Sequence, residues 1–169
     1  GYRDEDLDDA LVYGYAAAST IGHEITHGFD DQGRQFDDKG NLKNWWSKTD
    51  EEQFNKRAAL LVHQFNSFIP VDSTHINGKA TLGENLADLG GLLIGLDAFK
   101  QTETYKKGEK ISGLTPLQRY FLGYSLGWMY QIRKETLASQ LLTDVHSPAK
   151  YRVNGPFPNI PEFYEAFSI

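Results

Sequence analysis

The sequence of 169 residues contains no cysteine. Disulfide bonds and thiolate metal ligands are therefore excluded, and any bound metal must be held by histidine or carboxylate side chains. Such ligand sets are typical of catalytic zinc, whereas structural zinc sites usually contain cysteine. Because cysteine-free proteins occur in reducing and in oxidising compartments, this absence does not indicate a localisation.

Long apolar runs and an excess of basic charge are also missing. No run approaches the roughly 20 apolar residues of a membrane-spanning helix, and no signal peptide is visible. We expect no direct membrane contact from this segment. Lysine and arginine number 17 against 23 acidic residues, a formal net charge of −6, which argues against a nucleic-acid partner.

The length is sufficient for one domain with a hydrophobic core, and we expect residues 1–169 to form a single unit. Because the sequence begins with glycine and not methionine, we expect this unit to be a segment of a longer polypeptide. The oligomeric state cannot be inferred from the sequence.

Helical periodicity dominates the sequence, and strand patterns are sparse. We therefore predict a mainly α fold. Four glycines inside the third predicted helix indicate close packing against another helix or a metal site. The predicted helices cover residues 10–27, 47–68, 81–104, 116–129, 134–142 and 161–167, and the predicted loops cover 30–44, 106–110 and the segment from 144 onward.

The first predicted helix contains the pattern His-Glu-x-x-His at residues 23–27. Residues four apart on an α-helix point to one side, so His23 and His27 can hold a single ion. Glu24 lies about 100° further round, near enough to act on metal-bound water as a base. The acidic run over residues 4–9 is expected to cap and solvate the start of this helix.

A third zinc ligand must come from elsewhere, and His63, His75, His146 and the carboxylates are candidates. Glu84 is the most suggestive carboxylate, because it lies in an otherwise small and apolar helix. The alternative is an early-helix acid that complements the helix dipole. Asp88 lies one helical turn further on and could accept a hydrogen bond from a ligand imidazole.

Two further residues have both a functional and a structural interpretation. His146 follows Asp144, an arrangement that can favour an imidazolium for oxyanion stabilisation but can equally organise a proline-containing turn. Arg152 is either a solvated cation or a clamp for carboxylates and carbonyls. A calcium site in the acidic loop from Asp30 to Asp38 has little support, because EF-hand spacing is absent.

Three segments together, residues 21–33, 77–88 and 143–148, resemble the catalytic part of the neprilysin and endothelin-converting-enzyme family of zinc metallopeptidases. The similarity extends over essentially all 169 residues. It implies a zincin-like, thermolysin-like catalytic subdomain built on the motif helix and a second ligand helix, with most of the sheet missing.

The resemblance also implies a role for each candidate residue. It makes His23, His27 and Glu84 the ligands of one zinc ion per chain and Glu24 the general base. Asp88 and Asp30 would support the ligand histidines, and His146, oriented by Asp144, would stabilise the transition state. Arg152 would bind the substrate backbone. Trp128 would line the pocket for the side chain after the scissile bond; the alternative for Trp128 is a tryptophan of the hydrophobic core.

The expected function is zinc-dependent hydrolysis of oligopeptides, and the alternative is a non-catalytic zinc-binding or interaction module. Family members are several-fold longer and have a large helical domain that is not in these 169 residues. Animal members of the family rely on disulfides, so this cysteine-free sequence resembles a bacterial member. The longer polypeptide that contains it is then expected to be periplasmic, secreted or anchored facing outward.

Overall fold

The computed structural model describes residues 7–169 and is mainly helical, as predicted. Within that range no β-strand forms, and three isolated antiparallel bridges join Phe36 to Leu42, Val71 to Thr74 and Ile111 to Leu114. The helices are α1 (Asp9–Val12), a π-helix (Tyr13–Gly22), α2 (His23–His27), α3 (Lys48–Asn66), α4 (Leu82–Phe99), α5 (Glu103–Lys107), α6 (Pro116–Leu126), α7 (Lys134–Thr143), α8 (Ala149–Asn154) and α9 (Pro161–Phe167), with single 3-10 turns at Gly33–Gln35 and Phe157–Asn159.

Residues 9–27 form one continuous helix, called the motif helix below, although its middle portion is π-helical. Asp8 caps its start by accepting a hydrogen bond from the Ala10 amide at 3.3 Å, and Arg119 holds that carboxylate at 2.7 Å. The acidic residues predicted to contribute at positions 4–6 lie outside the described residues. The metal motif lies in α2, the last five residues, where the geometry is again α-helical after the π-helical portion.

The motif helix and α4 approach each other along a seam of small residues. A Cβ atom on Gly91 would lie 2.4 Å from the Ala18 carbonyl oxygen and 2.7 Å from the His23 amide nitrogen. Similarly, a Cβ on Gly95 would lie 2.9 Å from the Ala18 side chain, and one on Gly22 would lie 2.9 Å from the Gly91 Cα. The expectation that the α4 glycines allow close helix packing is confirmed at this seam.

Gly91→Ala is expected to lower the free energy of unfolding by about 2 kcal/mol, because a methyl group cannot fit against two backbones. Urea unfolding of the chain measures the change. Gly127→Ala is the matched control, since Gly127 has φ −63° and a Cβ there would be 3.6 Å from its nearest neighbour. The control should be neutral or slightly stabilised. Equal stability of the two variants would show that the seam is looser than described.

Two apolar clusters stabilise this arrangement. The larger cluster packs α6 against the motif helix and α4, with Tyr120, Phe121 and Tyr124 fully buried against Leu92, Leu96 and Phe99. The smaller cluster joins α3 to the start of α4 through Phe65, Leu61, Ile76 and Leu82. Burial of α4 on both sides fixes the position of its first turn relative to the motif helix.

Several predicted boundaries were wrong. The third helix ends at Phe99, and a separate helix, Glu103–Lys107, occupies part of the predicted 106–110 loop. The fourth helix ends at Leu126, three residues earlier than predicted. The segment from 144 onward, predicted as loop before residue 161, contains the helix Ala149–Asn154, which begins after Pro148.

No helix in the described part of the chain is long and apolar enough to cross a membrane.

Candidate metal centre

α2 brings two imidazoles together at one point. His23 and His27 are one helical turn apart, and their Nε2 atoms are 3.1 Å from each other. The two rings meet edge to face, with centroids 4.7 Å apart. His23 is buried and His27 is half-buried, so both Nε2 atoms reach the same place from the interior side of the helix.

The first turn of α4 adds a carboxylate at the same point. Glu84 Oε2 lies 3.3 Å from His23 Nε2, and Oε1 lies 3.6 Å from His27 Nε2. Ligand atoms of these three residues all lie within 4.8 Å of one another, which makes them a set that could hold a metal ion. The glycine seam allows this contact, because it brings α4 close to the motif helix.

The spacing of the three ligand groups fits zinc. Zinc bonds to imidazole nitrogen and carboxylate oxygen are about 2.0–2.2 Å long, so two ligands of a tetrahedral ion are roughly 3.3–3.5 Å apart. The two Nε2 atoms are 3.1 Å apart, and each lies 3.3 or 3.6 Å from a different oxygen of Glu84, so the carboxylate is close to both imidazoles at about this spacing. Three protein ligands without thiolate are also the composition of a catalytic zinc site, which leaves the fourth position for water or substrate.

Each histidine has a carboxylate behind its other ring nitrogen. Asp88, fully buried on α4, lies 3.0 Å from His23 Nδ1. Asp30 lies 2.7 Å from His27 Nδ1, and its other oxygen accepts hydrogen bonds from the backbone amides of Gln32 and Gly33. A carboxylate at Nδ1 favours the proton there and leaves Nε2 free to bind a metal.

Arg152 on α8 is bound within the site. Its Nε and Nη2 atoms donate to the two Asp88 oxygens at 2.7 Å each, and Nη2 lies 3.4 Å from Glu84 Oε2. The guanidinium also stacks on the Trp128 ring, 4.1 Å from its centroid. Of the two interpretations of Arg152, the solvated cation is therefore wrong, because the residue is buried and bonded to carboxylates.

His146 reaches the site from the loop between α7 and α8. Its Nε2 lies 3.3 Å from Glu84 Oε2, and its Nδ1 is 2.7 Å from Asp144 Oδ1. The His146 side chain is 44% exposed, so one edge of the imidazole faces solvent beside the metal-binding cluster. The hydrogen bonds from His146 hold the pKa of Asp144 below its usual value.

Hydrogen bonds and neighbouring charges shift the pKa values of His23 and Glu84. Burial alone lowers the pKa of His23, but hydrogen bonds to Asp88 and Glu84 outweigh burial and raise it from 6.5 to about 9. Burial alone raises the pKa of Glu84, but the hydrogen bond from His23 and the charges of His146 and Arg152 lower it. Because a metal ligand must be neutral imidazole, binding at this site is coupled to loss of the His23 proton.

The other sequence candidates are not among the three residues of this cluster. Glu24 is exposed on α2, one residue from His23. His63 is exposed on α3, and His75 is exposed in a loop, where its Nδ1 is 2.7 Å from the Asn66 carbonyl oxygen. In the acidic loop, Asp37 accepts hydrogen bonds from the backbone amides of residues 39 and 41.

Three buried polar groups beside the site carried no signal in the sequence. The Asn85 and Ser147 side chains bond each other at 2.8 Å, and the Tyr124 hydroxyl donates to the Arg152 carbonyl oxygen at 3.1 Å. Each joins segments far apart in sequence, so no local spacing could have identified it. A cleft of about 610 Å³ lined by Trp45, Trp46 and neighbouring residues includes none of the site residues, so cavity size does not mark the site.

Comparison with known proteins places this geometry in context. The sequence matches the model of peptidase family M13 over residues 2–169. It is 43% identical to neprilysin-1 of Caenorhabditis elegans over 172 aligned residues, which cover 98% of this chain and 23% of that protein. It is 41% identical to endothelin-converting enzyme 1 of Rattus norvegicus over 162 residues, covering 94% of this chain and 21% of that protein.

The fold is also similar to a solved structure, the zinc metalloprotease ZMP1 of Mycobacterium tuberculosis in complex with an inhibitor. The TM-score is 0.89 at 38% sequence identity, covering 98% of this chain and 26% of that one. The chain spans between 21% and 26% of the length of these three relatives. These similarities confirm the resemblance inferred from the three sequence segments.

Proposed function

This chain belongs to peptidase family M13, and on that premise we propose that it carries the zinc site of a metalloendopeptidase that cleaves peptide bonds in oligopeptides. The observation that supports the proposal most strongly is the convergence of His23, His27 and Glu84, whose ligand atoms all lie within 4.8 Å of one another, close enough to share one zinc ion. We assign these three residues as the ligands of one zinc ion per chain.

When bound, zinc supplies Lewis acidity, which acidifies water and polarises a carbonyl group. Glu24, exposed beside the ligands, is the general base: it removes the proton of the attacking water and passes it to the departing amine. Asp88 and Asp30 keep the Nδ1 protons of the ligand histidines in place, which fixes both rings.

We assign three residues to contacts with the substrate. The exposed edge of His146, oriented by Asp144, is suited to donate a hydrogen bond to the oxyanion of the tetrahedral intermediate. Arg152 contacts substrate backbone, while Asp88 and Trp128 hold its guanidinium. Trp128 stacks on Arg152 and is partly exposed, so it lies at the margin of the site, and we assign it to the lining of the adjoining substrate pocket.

Residues 1–169 form a single zinc-bearing unit, and the complete gene product is a longer peptidase that is periplasmic, secreted or anchored facing outward. The alternative, a non-catalytic zinc module, lacks a supporting observation. A closed structural site needs a fourth protein ligand, and the metal-binding cluster of the described residues has three.

Peptide hydrolysis by the complete gene product tests this proposal, with this chain assayed in parallel. A quenched fluorescent oligopeptide should be cleaved, cleavage should stop when a chelator removes the metal, and one equivalent of zinc should restore it. Equal cleavage rates before and after complete zinc removal would contradict the proposed chemistry.

A further inference from the structure

A buried chain of hydrogen bonds joins the His146 loop to α4. The Ser147 hydroxyl donates to Asn85 Oδ1 at 2.8 Å, and Asn85 Nδ2 donates to the Thr81 hydroxyl oxygen at 2.9 Å. The Thr81 hydroxyl in turn donates to the Asn77 carbonyl oxygen at 3.0 Å. Asn85 and Ser147 are each only 1% exposed, so water does not compete for the Ser147–Asn85 and Asn85–Thr81 bonds.

The first two residues of this series of hydrogen bonds are adjacent in sequence to functional groups. Ser147 follows His146, and Asn85 follows Glu84. The Ser147–Asn85 bond therefore ties the backbone next to the imidazole to the backbone next to the carboxylate. The 3.3 Å separation of His146 Nε2 and Glu84 Oε2 lies directly beside this tie.

Other contacts of His146 cannot fix that separation as firmly. Asp144 lies on the same loop, so it orients the ring but moves with it. The contact from Gln140 to the His146 carbonyl oxygen is a long hydrogen bond of 3.3 Å. Val145 is exposed, and the His146 side chain is 44% exposed. Ser147, by contrast, is fully buried, and its side chain connects this loop to Asn85 on α4; this hydrogen bond is called the anchor below.

We propose that Asn85 and Ser147 are positioning residues that hold the His146 imidazole at its working distance from Glu84. The inference depends on the proposed function, since it assumes that His146 acts in peptide hydrolysis at the same site. Displacing a catalytic group by about 1 Å can lower a rate by roughly 100-fold. The loss caused by breaking the anchor should therefore be transmitted entirely through His146.

Ser147→Ala tests the anchor, with Ser125→Ala as the matched control. Ser125 also donates one hydrogen bond, to the Phe121 carbonyl oxygen at 2.8 Å, but lies on α6 outside the site. In the complete gene product, Ser147→Ala should lower kcat/KM for peptide hydrolysis on the order of 10- to 100-fold, mainly in kcat, with zinc affinity unchanged. Ser125→Ala should leave both quantities near wild type.

The double variant with His146→Ala separates positioning from stability. If Ser147 acts through His146, adding Ser147→Ala to His146→Ala should cause no further loss of kcat/KM. The proposal would be overturned if the loss of kcat/KM in the double variant equalled the product of the two single-variant losses. An unchanged kcat/KM in Ser147→Ala, or weaker zinc binding by that variant, would also overturn it. Failure of Ser147→Ala to fold where Ser125→Ala folds would also overturn it, because the bond would then serve stability.

Amide hydrogen exchange of this chain gives a readout that does not require peptidase activity. Ser147→Ala should accelerate exchange of the His146 amide at least tenfold, because that amide is protected by its hydrogen bond to Asp144 Oδ1 at 2.9 Å, and a loop released from α4 opens this bond more often. If the wild-type protein hydrolyses no peptide, the proposed function fails, but the exchange rate of the His146 amide still tests whether the Ser147–Asn85 bond holds the loop. Unchanged exchange at His146 would contradict the anchor itself.

Discussion

Glu24→Gln is expected to lower kcat/KM for peptide hydrolysis by about a thousandfold while the protein keeps its zinc. General acid–base groups contribute roughly 10²- to 10⁴-fold, and a thousandfold corresponds to about 4 kcal/mol of transition-state stabilisation. Glutamine preserves the shape of the side chain but cannot accept the proton of water. Because the proposed ligands are His23, His27 and Glu84, the metal site should be untouched.

The measurement combines peptide turnover by the complete gene product with zinc content of the same samples. Glu103→Gln is the matched control, since it removes an exposed carboxylate on α5, away from the site. Wild-type turnover in the Glu24→Gln protein would remove Glu24 as the base. Loss of zinc from that protein would instead make Glu24 a contributor to the metal site.

Arg152→Leu is expected to lower the free energy of unfolding of this chain by about 3 kcal/mol. Removing one partner of a buried ion pair typically costs about 3–5 kcal/mol, because the other charge is left without compensation. Asp88 is fully buried, and Arg152 supplies it with two hydrogen bonds of 2.7 Å. The lower end of the range applies here, since His23 still faces Asp88 at 3.0 Å.

Urea unfolding of the chain at neutral pH, in the presence of a chelator, measures this effect without a contribution from bound metal. The double variant Asp88→Asn/Arg152→Leu is the control. It should be more stable than Arg152→Leu alone, because no buried carboxylate is then unpaired. A single-variant loss below about 1 kcal/mol, or a double variant that is less stable than the single, would contradict the role given to this pair.

The part of the site that depends on local geometry was accessible from the sequence. Four-residue spacing places His23 and His27 together on any α-helix, and α2 has that geometry. Glu84 could be identified as a candidate because an acid in a small, apolar helix is unusual. Its convergence on the histidines could not be derived from spacing, since it depends on how closely α4 approaches the motif helix.

Other features depended on contacts that leave no periodic signal. The helix Ala149–Asn154 is only six residues long and lies between proline and glycine, so its sequence indicated a loop. Its formation buries Arg152 against Asp88, a pairing of residues 64 positions apart. The π-helical geometry of Tyr13–Gly22 was likewise not predicted, because helical periodicity alone does not distinguish it from an α-helix over so short a run.

Zinc binding to this chain tests the central claim most directly, since both the ligand assignment and the proposed chemistry require it. Calorimetric titration should give one zinc ion per chain. Glu84→Ala should weaken binding by on the order of 100-fold, roughly 3 kcal/mol for one lost ligand. Asp97→Ala, which removes an exposed acid from the same helix, should bind like wild type. Full zinc occupancy with unchanged affinity in Glu84→Ala would contradict the account.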